Sequence, residues 1–498
     1  MYKIDLLLIN APSRMAVYGP LTAFAAIEPP VWALLIAQRA KRDGFSVVVL
    51  DAEAEGLDAE QAAASAVSID ARLTVFCIYG QQPSASTQCM PAAQHVARVM
   101  LAAKPTLVTV ALGTHPSALP RETLREGPFA FVLEGDGVDG VLALLRDEPL
   151  SVIPGLHYSA VSGEYNRNQP PHLVDDLDAA LPGQAFGELP ALSLYRAHNW
   201  HRWTATRVSN GYASVQTSLG CPFRCSFCCI NAPFGQAGIR FWSPQLVVAQ
   251  IAALVKNGVT DIKIPDEMFL LNRAHVEEIC NGLLAGGFGG ELNMWAYARV
   301  DTLGDERLLQ KMRRAGFRWL GVGIESGSAH VRAGVDKGKF TDERIAEAIK
   351  RASDSGICIA ANYIFGLPDD TETSMQRTLD MACELNTSWA NFYCAMAYPG
   401  SALHETVRQL DHSVWPLPEY YPDVGWIGYS QHAYETYPLR TATLSQAQVL
   451  SFRDCAFMTY FGRPAYQNAL LRSFGIGAFS EVTRMLQVGR PKRMLLEN

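Results

Sequence analysis

The sequence predicts an α/β protein with three parts: a doubly wound, Rossmann-like parallel sheet, a partial (β/α)6 barrel, and a mostly helical C-terminal region. Three observations carry this. Over the first 150 residues, short apolar runs ending in Gly, Pro or small polar residues alternate with helix-spaced segments, the pattern of strands joined by crossover helices. The rhythm lapses over 151–212 and resumes from Ala213 for six more repeats. From 411 onward it gives way to an aromatic-rich stretch and then to helical spacing.

In the first region strands are expected at 4–9, 45–50, 73–79, 107–112 and 129–133, with helices at 31–42 and 96–103. Ligands of such sheets sit beyond the strand C-termini. The positions to watch are therefore 10–13, 79–87, 113–117 and 134–137. Residues 151–212, with Pro, Gly, Asn and the acids Asp175, Asp176 and Asp178, read as a connecting segment with minor strands. In the second region Val215 to Thr217 leads into a cysteine cluster. Strands at 261–264, 292–298, 319–324, 358–365 and 389–396 then alternate with helices at 244–256, 276–284, 306–315, 342–355 and 373–384. Parallel connections give a partial barrel, with chemistry at the strand C-termini by analogy with complete barrels. Residues 411–443 are rich in Trp, Tyr, Pro and His, and 445–488 have helical spacing, with Val449, Phe452, Ala456 and Phe457 on one face. The expected domains are 1–150, a linker at 151–212, the barrel at 213–404 and a substrate-capping region at 405–498.

Composition bounds the function. The 498 residues suit about three folding units at roughly 150 residues each. Hydrophobic residues make up 49% and charged residues 18%, with a mean hydropathy of +0.03, which excludes a disordered or low-complexity fibrous chain. There are 42 basic against 49 acidic residues, a net charge of −7. No basic block occurs, so nucleic acid is not an expected partner. The N-terminal apolar run is too short for a signal-peptide core, and no window reaches about 18 uninterrupted apolar residues. A cytoplasmic protein without a membrane span is expected.

The 11 cysteines are unevenly spread: Cys221, Cys225, Cys228 and Cys229 crowd together, and a cytosolic setting keeps thiols reduced. The spacing C-x3-C-x2-C puts three thiolates in one tight loop at a strand end, able to hold three corners of a 4Fe–4S cluster and leave the fourth iron open. Zinc with Cys229 as a fourth ligand is the rival. Adjacent cysteines suit one tetrahedral ion poorly, and no further C-x2-C or H-x3-H follows. Cys229 reads as packing, and Cys77, Cys89, Cys280, Cys358, Cys383, Cys394 and Cys455 as core thiols.

This loop, with Phe227 before the last cysteine, resembles the signature of the radical SAM superfamily. The resemblance runs from Ala213 to about His404. Pro265-Asp266-Glu267 stands where the family often has a Gly-Gly-Glu contacting the SAM amino group, which leaves open whether Asp266 or Glu267 holds the amine. Gly321 to Gly327 resembles the later SAM-contact strand, and Ile364 to Pro368 the strand-end GLP element. Tyr398-Pro399-Gly400-Ser401 resembles the sixth strand end. The implied contacts are Cys221, Cys225 and Cys228 to the cluster, and Phe227, Pro265, Asp266, Glu267, Arg299, Gly323, Glu325, Ser326, Gly366 and Pro368 to SAM. Arg299, at a strand end, reads equally as a partner of the SAM carboxylate or as half of a structural ion pair. The resemblance implies an open iron that chelates SAM. It also implies a 5′-deoxyadenosyl radical formed by one-electron cleavage, in a dry barrel mouth, with flavodoxin or ferredoxin as electron donor.

A doubly wound sheet before such a barrel is the layout of the cobalamin-dependent branch of that superfamily. Asn10-Ala11-Pro12-Ser13 and Glu28-Pro29-Pro30, which opens the first helix, match elements of that branch, and Gly113-Thr114-His115-Pro116-Ser117 and Glu134-Gly135-Asp136-Gly137 imperfectly resemble its GG-x-H and GEGE strand ends. The implied cobalamin contacts are Asn10, Pro12, Ser13, Tyr79, Gln82, Ser84, Ser86, Thr87, Gly113, His115, Glu134, Gly135 and Asp136. No D-x-H-x-x-G occurs, so the resemblance implies base-off cobalamin with no protein histidine on cobalt. His115 is placed at the corrin periphery or nucleotide tail. A sheet that kept its fold and lost the cofactor is the alternative. A nicotinamide site fits poorly, because no G-x-G-x-x-G follows the first strand.

In the stretch 425–435, Tyr429, Gln431, His432 and Glu435 sit among aromatics, read either as a substrate lid or as a cap packed on the barrel. Tyr429, His432 and Glu435 are the catalytic candidates. The function implied is a class B radical SAM methyltransferase. It would move a methyl group from SAM through methylcobalamin to an unactivated carbon of a small molecule: a natural product, sugar or nucleotide. A non-methylating cobalamin-dependent enzyme (cyclisation, ring contraction or oxidation) is the alternative, and a non-catalytic zinc scaffold the rival from another class.

Overall fold

The structure is a computed structural model describing residues 4–80, 82–160, 162–338 and 340–496. Its first sheet has seven strands: β1 (Ile4–Asn10), β2 (Val47–Asp51), β3 (Ala71–Ile78), β4 (Thr109–Gly113), β5 (Phe131–Leu133), β6 (Leu156–Ser159) and β7 (Tyr165–Arg167). Their order is β2-β1-β3-β4-β5-β6-β7. The first five are parallel, with Leu6 to Asn10 paired to Val47 to Asp51 on one side and Ile4 to Ile9 against Ala71 to Phe76 on the other. The near-unbroken apolar runs bury both faces, and Leu6, Leu7, Leu8 and Ile9 are wholly enclosed, as helices on both sides require. The helix Val31–Arg42 ends where expected, at Asp43. The helix Ala85–Ala103 starts well before the expected 96, with Pro91 inside it. The polar residues from Ser84 to Thr87, read as loop, form its first turn.

Residues 151–212 do more than link. β6 pairs antiparallel with β5, and β7 with β6, so the sheet continues past the expected boundary at 150. Their connection is a few residues turning at Gly163 (φ 83°), which is too short for a parallel crossover. Further on, Trp200 in the helix Asn199–Arg202 packs edge-on against Trp295 and Trp319, with ring centroids 5.3 and 4.9 Å away. This aromatic plug closes the barrel at the starts of its strands.

The barrel sheet holds β8 (Tyr212–Ser214), β11 (Asp261–Ile264), β12 (Asn293–Arg299), β13 (Phe317–Glu325), β14 (Cys358–Phe365) and β15 (Trp389–Cys394). All are parallel, in the order β15-β14-β13-β12-β11-β8. Between β8 and β11 a small antiparallel ladder of β9 (Ser218–Leu219) and β10 (Arg240–Phe241) closes the base of the cysteine loop. Behind β15 the helices Gln446–Gly462 and Pro464–Gln487 cover the open side, with the Tyr460 hydroxyl donating to the Thr387 carbonyl at 2.7 Å. They are separate because Pro464 cannot continue the first. Among the described residues, no helix is long and apolar enough to cross a membrane.

Two buried ion pairs join the sheet to the barrel. Lys263 on β11 holds both oxygens of Glu28 at 2.9 and 3.1 Å, under the rings of Trp295 and Tyr297. Arg240 on β10 grips Asp136, beyond β5, with two bonds of 2.7 and 2.9 Å.

Candidate active site

The C-terminal ends of β1 and β3 face the C-terminal ends of β8 and β11 across a cleft of about 1230 Å³, counting its open side. In the first sheet this is the switch point, where strand order reverses between β1 and β3 and ligands of doubly wound sheets bind. Asn10, Ser13, Tyr79 and Gln82 line it from the sheet, and Gln216, Gly220, Pro265 and Glu267 from the barrel. One cavity therefore touches both predicted cofactor loops.

The cysteine loop is fixed by backbone contacts. Gly220 takes a φ of 88°, and a Cβ there would lie 2.5 Å from the Gly238 carbonyl, so only glycine fits. Gly238 N–H donates to the Cys221 carbonyl, Ser226 N–H to the Val335 carbonyl and Leu403 N–H to the Ser226 carbonyl. Cys221 and Cys229 are buried, Cys225 is half-buried and Cys228 is open. Phe227 packs into a small core with Val331, Val335 and Leu367. Among the described residues, no three His, Cys, Asp or Glu side chains converge on a single-ion position. Zinc draws four ligands onto one atom, whereas a cluster spreads its thiolates over several irons.

The acidic pair after β11 divides its work. Asp266 is wholly buried, and its carboxylate accepts Thr217 N–H at 2.8 Å, the Thr217 hydroxyl at 2.5 Å and the Ser218 hydroxyl at 2.6 Å. It ties β11 to the segment leading into the cysteine loop. Glu267 and Pro265 line the cleft instead. Burial, then the neighbouring Asp266 charge, pushes the Glu267 carboxyl up to about 8.

Other expected SAM contacts lie elsewhere. Arg299 is buried against the cysteine loop rather than open to a ligand. It pairs with Asp301 at 3.1 Å, donates to the Lys337 carbonyl at 2.7 Å and stacks 3.9 Å from the Phe223 ring centre. Ser326 is also spent: it meets the Thr378 hydroxyl at 3.2 Å and accepts Ser328 N–H. Gly366 (φ 81°) forms a turn whose N–H donates to Asp370 at 3.0 Å, and a Cβ would strike Val449 at 2.5 Å. Pro368 follows in that turn, half-buried. Glu325, with a left-handed φ of 68°, pairs with buried Lys337 at 2.7 Å. Any Cβ on Gly323 would lie 2.4 Å from the Glu325 carboxylate and 2.8 Å from the Lys337 ammonium. Sequence reasoning missed Lys337, whose only signal was a Lys-Gly-Lys stretch in a loop.

On the sheet side the expected set also splits. Besides the cleft-lining four, Pro12 is half-buried beside Ser13 and Ser84 starts the helix Ala85–Ala103. Gln81 lies outside the described residues. Ser86 is wholly buried, bonding the Ile78 carbonyl and receiving His115 N–H, so it joins β3 to β4. Thr87 meets the His115 ring at 3.3 Å. His115 is buried edge-on against Trp426, and burial pulls its imidazole down to about 3. It therefore packs as a neutral ring between the sheet and the C-terminal segment, away from the cleft. Glu134 is held by His157 at 3.1 Å and Arg167 at 3.7 Å, and Asp136 by Arg240. Gly135 (φ 87°) and Gly113 pass where a Cβ would hit Pro171 and the Ile78 carbonyl. These residues build the loops rather than face a ligand. Residues that sequence reasoning did not place in the cleft include Glu28, Trp32 and Cys89.

At the C-terminal segment, Tyr429 is wholly buried and donates to Glu419 at 2.6 Å, and Gln431 clamps the backbone of Cys394 with bonds of 2.8 and 2.9 Å. Both are cap residues, not ligand-facing ones. His432 and Glu435 line a second cleft of about 1030 Å³, which shares Ser13, Tyr18 and Gln88 with the first. Tyr18 stacks on His432 with centroids 5.6 Å apart where the two adjoin.

The sites fit the groups that sequence reasoning expects. The Tyr79 hydroxyl is buried with no partner among the described residues, on a ring stacked flat on Trp32 at 4.7 Å. Such an orphan polar atom on a cleft wall suits a large ligand edged with amides. Residues 20–145 match the B12 binding domain and residues 215–382 the Radical SAM superfamily. The chain thus belongs to the class that joins a cobalamin-binding domain to a radical SAM domain, and those domains imply cobalamin, a 4Fe–4S cluster and SAM.

Within that class the chain is similar to methyltransferases. An uncharacterised methyltransferase of Pyrococcus horikoshii is 27% identical over 412 residues, covering 81% of this chain and 83% of that one. The anaerobic magnesium-protoporphyrin IX monomethyl ester cyclase of Rubrivivax gelatinosus is 26% identical over 395 residues, 76% of this chain but only 66% of the cyclase. The fold matches the radical SAM methyltransferase TsrM of Kitasatospora setae, solved with cobalamin and a 4Fe–4S cluster. That match has a TM-score of 0.65 and 18% identity over 93% of this chain and 90% of that one.

Proposed function

We propose that this protein is a cobalamin-dependent radical SAM methyltransferase that delivers a methyl group to an unactivated carbon of a small molecule. The observation that carries this reading is the single cleft lined at once by the switch point of the first sheet and by Gly220, Pro265 and Glu267 of the barrel. When bound, the cluster and SAM supply a carbon-centred radical, and cobalamin supplies the methyl group.

The chain's own residues bind, orient and exclude water. Cys221, Cys225 and Cys228 hold the cluster. Glu267 takes the SAM amine, while Asp266 keeps the strand end and the cysteine loop in register. Asn10, Ser13, Tyr79 and Gln82 would hold the corrin side chains, and His115, packed against Trp426 away from the cleft, would leave cobalt without a protein imidazole. His432 and Glu435 meet the substrate where the second cleft joins the first, with the Tyr18–His432 stack closing the passage against water. A substrate-bound structure of TsrM with tryptophan accords with a small-molecule substrate of this order. A reduced flavodoxin or ferredoxin supplies the electron. Similarity to a cyclase keeps non-methylating chemistry as the second reading.

The test is anaerobic purification with cobalamin, then iron, sulfide and cobalt analysis and turnover with methyl-labelled SAM. Four iron, four sulfide and one cobalt per chain, about what the two domains imply, support the reading when S-adenosylhomocysteine and 5′-deoxyadenosine form together. 5′-Deoxyadenosine alone moves the function to the non-methylating reading. Zinc without sulfide overturns both.

A further inference from the structure

Of the three signature thiols, Cys225 is the one that Arg299 approaches within contact distance, and the same guanidinium also acts electrostatically on Cys221. Arg299 Nη1 lies 4.0 Å from the Cys225 sulfur, and the Cys225 thiol faces the Asp336 carbonyl at 3.6 Å. The guanidinium is held on four sides: by Asp301 through Nε, by the Lys337 carbonyl through Nη2, by the Phe223 ring beneath it and by the Phe340 ring at 5.7 Å. Gly338 keeps the approach open, since a Cβ there would sit 3.2 Å from Nη2. The two members of the Arg299–Asp301 pair differ in setting. The arginine side chain is 7% exposed and the aspartate 35%. Solvent therefore screens the carboxylate far more than the guanidinium, so Asp301 only partly offsets the positive contribution of Arg299 at the Cys225 sulfur, to which the Lys337 ammonium, itself paired with Glu325, adds.

We propose that Arg299 is a positioning residue that sets the reduction potential of the cluster through Cys225, making its one-electron reduction easier. The inference rests on the reading that Cys221, Cys225 and Cys228 hold a 4Fe–4S cluster. Reduction adds one negative charge, taken from an external one-electron donor, to an assembly whose sulfurs already carry charge. Cations and N–H donors at those sulfurs favour the reduced form and raise the potential. Arg299 supplies both from a buried, stacked, fork-shaped group. The residue is thus neither a SAM ligand nor a simple structural partner.

The test is an EPR-monitored dithionite titration of reconstituted holoenzyme without SAM or substrate, with iron and sulfide measured on every variant. Arg299→Gln should lower the ratio of reduced to oxidised cluster at a fixed potential about tenfold, equivalent to about 59 mV for one electron. Asp301→Asn should shift it the other way, because it removes the opposing charge. Arg299→Lys, which keeps charge but not the fork, should fall between wild type and Arg299→Gln. Shifts of opposite sign cannot come from loosened packing alone. Equal potentials in all four proteins at full iron content overturn the inference and leave the cluster reading intact. If Arg299→Gln fails to hold iron, Asp301→Asn decides: an upward shift supports the inference and an unchanged potential refutes it. A wild-type chain that takes up no iron and sulfide overturns the cluster reading, and this inference with it.

Discussion

Exchange of each carboxylate after β11 for its amide or for alanine separates the two roles assigned to Asp266 and Glu267. Asp266 gives its carboxylate to three donors inside the protein. Asp266→Ala strands those donors in a buried site, at about 1–3 kcal/mol for each buried group left unpaired, so a loss of about 3 kcal/mol or more in stability is expected. Asp266→Asn keeps an oxygen for Thr217 N–H and an amide for the two hydroxyls, and should lose far less. Glu267 lines the cleft and has no ion pair among the described residues. Glu267→Gln should leave stability intact and weaken SAM binding by about 2 kcal/mol, ~30-fold in Kd, the worth of one charge-assisted hydrogen bond. Calorimetry supplies a second signature. With its carboxyl raised to about 8, Glu267 is protonated at pH 7, and pairing with an ammonium requires it to ionise. SAM binding at pH 7 should therefore release a proton from Glu267, at most about 0.9 per site, read as buffer-dependent enthalpy that shrinks in Glu267→Gln. Glu267→Gln binding SAM like wild type, with Asp266→Asn stable but unable to bind it, would refute the assignment.

The remaining predictions concern the interface and the sheet. Lys263→Met leaves Glu28 charged and buried, so the unfolding midpoint in urea should fall by the equivalent of about 3–5 kcal/mol, and adding Glu28→Gln should recover most of it; a double variant as unstable as the single one would show that the pair is not the cause. Tyr79→Phe removes a hydroxyl with no protein partner, so apo-protein stability should hold or rise by about 1 kcal/mol while cobalamin retention on gel filtration falls several-fold; unchanged retention would remove Tyr79 from the binding wall. Burial holds His115, His198 and His201 near about 3, below the unfolded value of about 6.5. The unfolded chain then binds more protons between those limits, so stability should drop as pH falls from about 6.5 toward 3, and His115→Gln should flatten that slope in thermal melts. A pH-independent melt across that range would contradict their burial as neutral rings.

Elements with one strong signal were legible in the sequence. The helix Pro244–Lys256 and the strands Asp261–Ile264 and Cys358–Phe365 fall at the expected residues, because proline starts, glycine stops and unbroken apolar runs act locally. Contacts made by distant residues were not. Ser86, His115, Glu134 and Asp136 looked like ligand-facing polar groups on strand-end loops. Their partners, Ile78, Trp426, His157 and Arg240, come from other elements, and only the assembled fold reveals that their polarity is spent internally. Lys337 escaped for the converse reason: it looks like an ordinary surface charge until the fold buries it opposite Glu325. Trp200 belonged to a stretch read as linker because its partners Trp295 and Trp319 lie on strands far along the chain.

The polar character of the junction between sheet and barrel follows from what the cleft must do. A buried ion pair contributes little net stability, since desolvation offsets most of the Coulomb attraction, so stability alone does not explain two at one junction. What such pairs supply is direction and distance. Lys263 meets both oxygens of Glu28, itself in the cleft wall, while Arg240 forks onto Asp136 and packs 5.2 Å from the ring centre of Phe234, another wall residue. An apolar junction of the same area could slide by an ångström at little cost, because apolar contacts are non-directional. The proposed reaction, which would pass a group between partners held on two domains, would not tolerate that, since misplacement of about 1 Å can cost about a hundredfold in rate. The two pairs pin the sheet domain to the barrel beside the cleft-lining residues Glu28 and Phe234. Loosening either should therefore spread the separation of the two cofactor loops before it unfolds the chain.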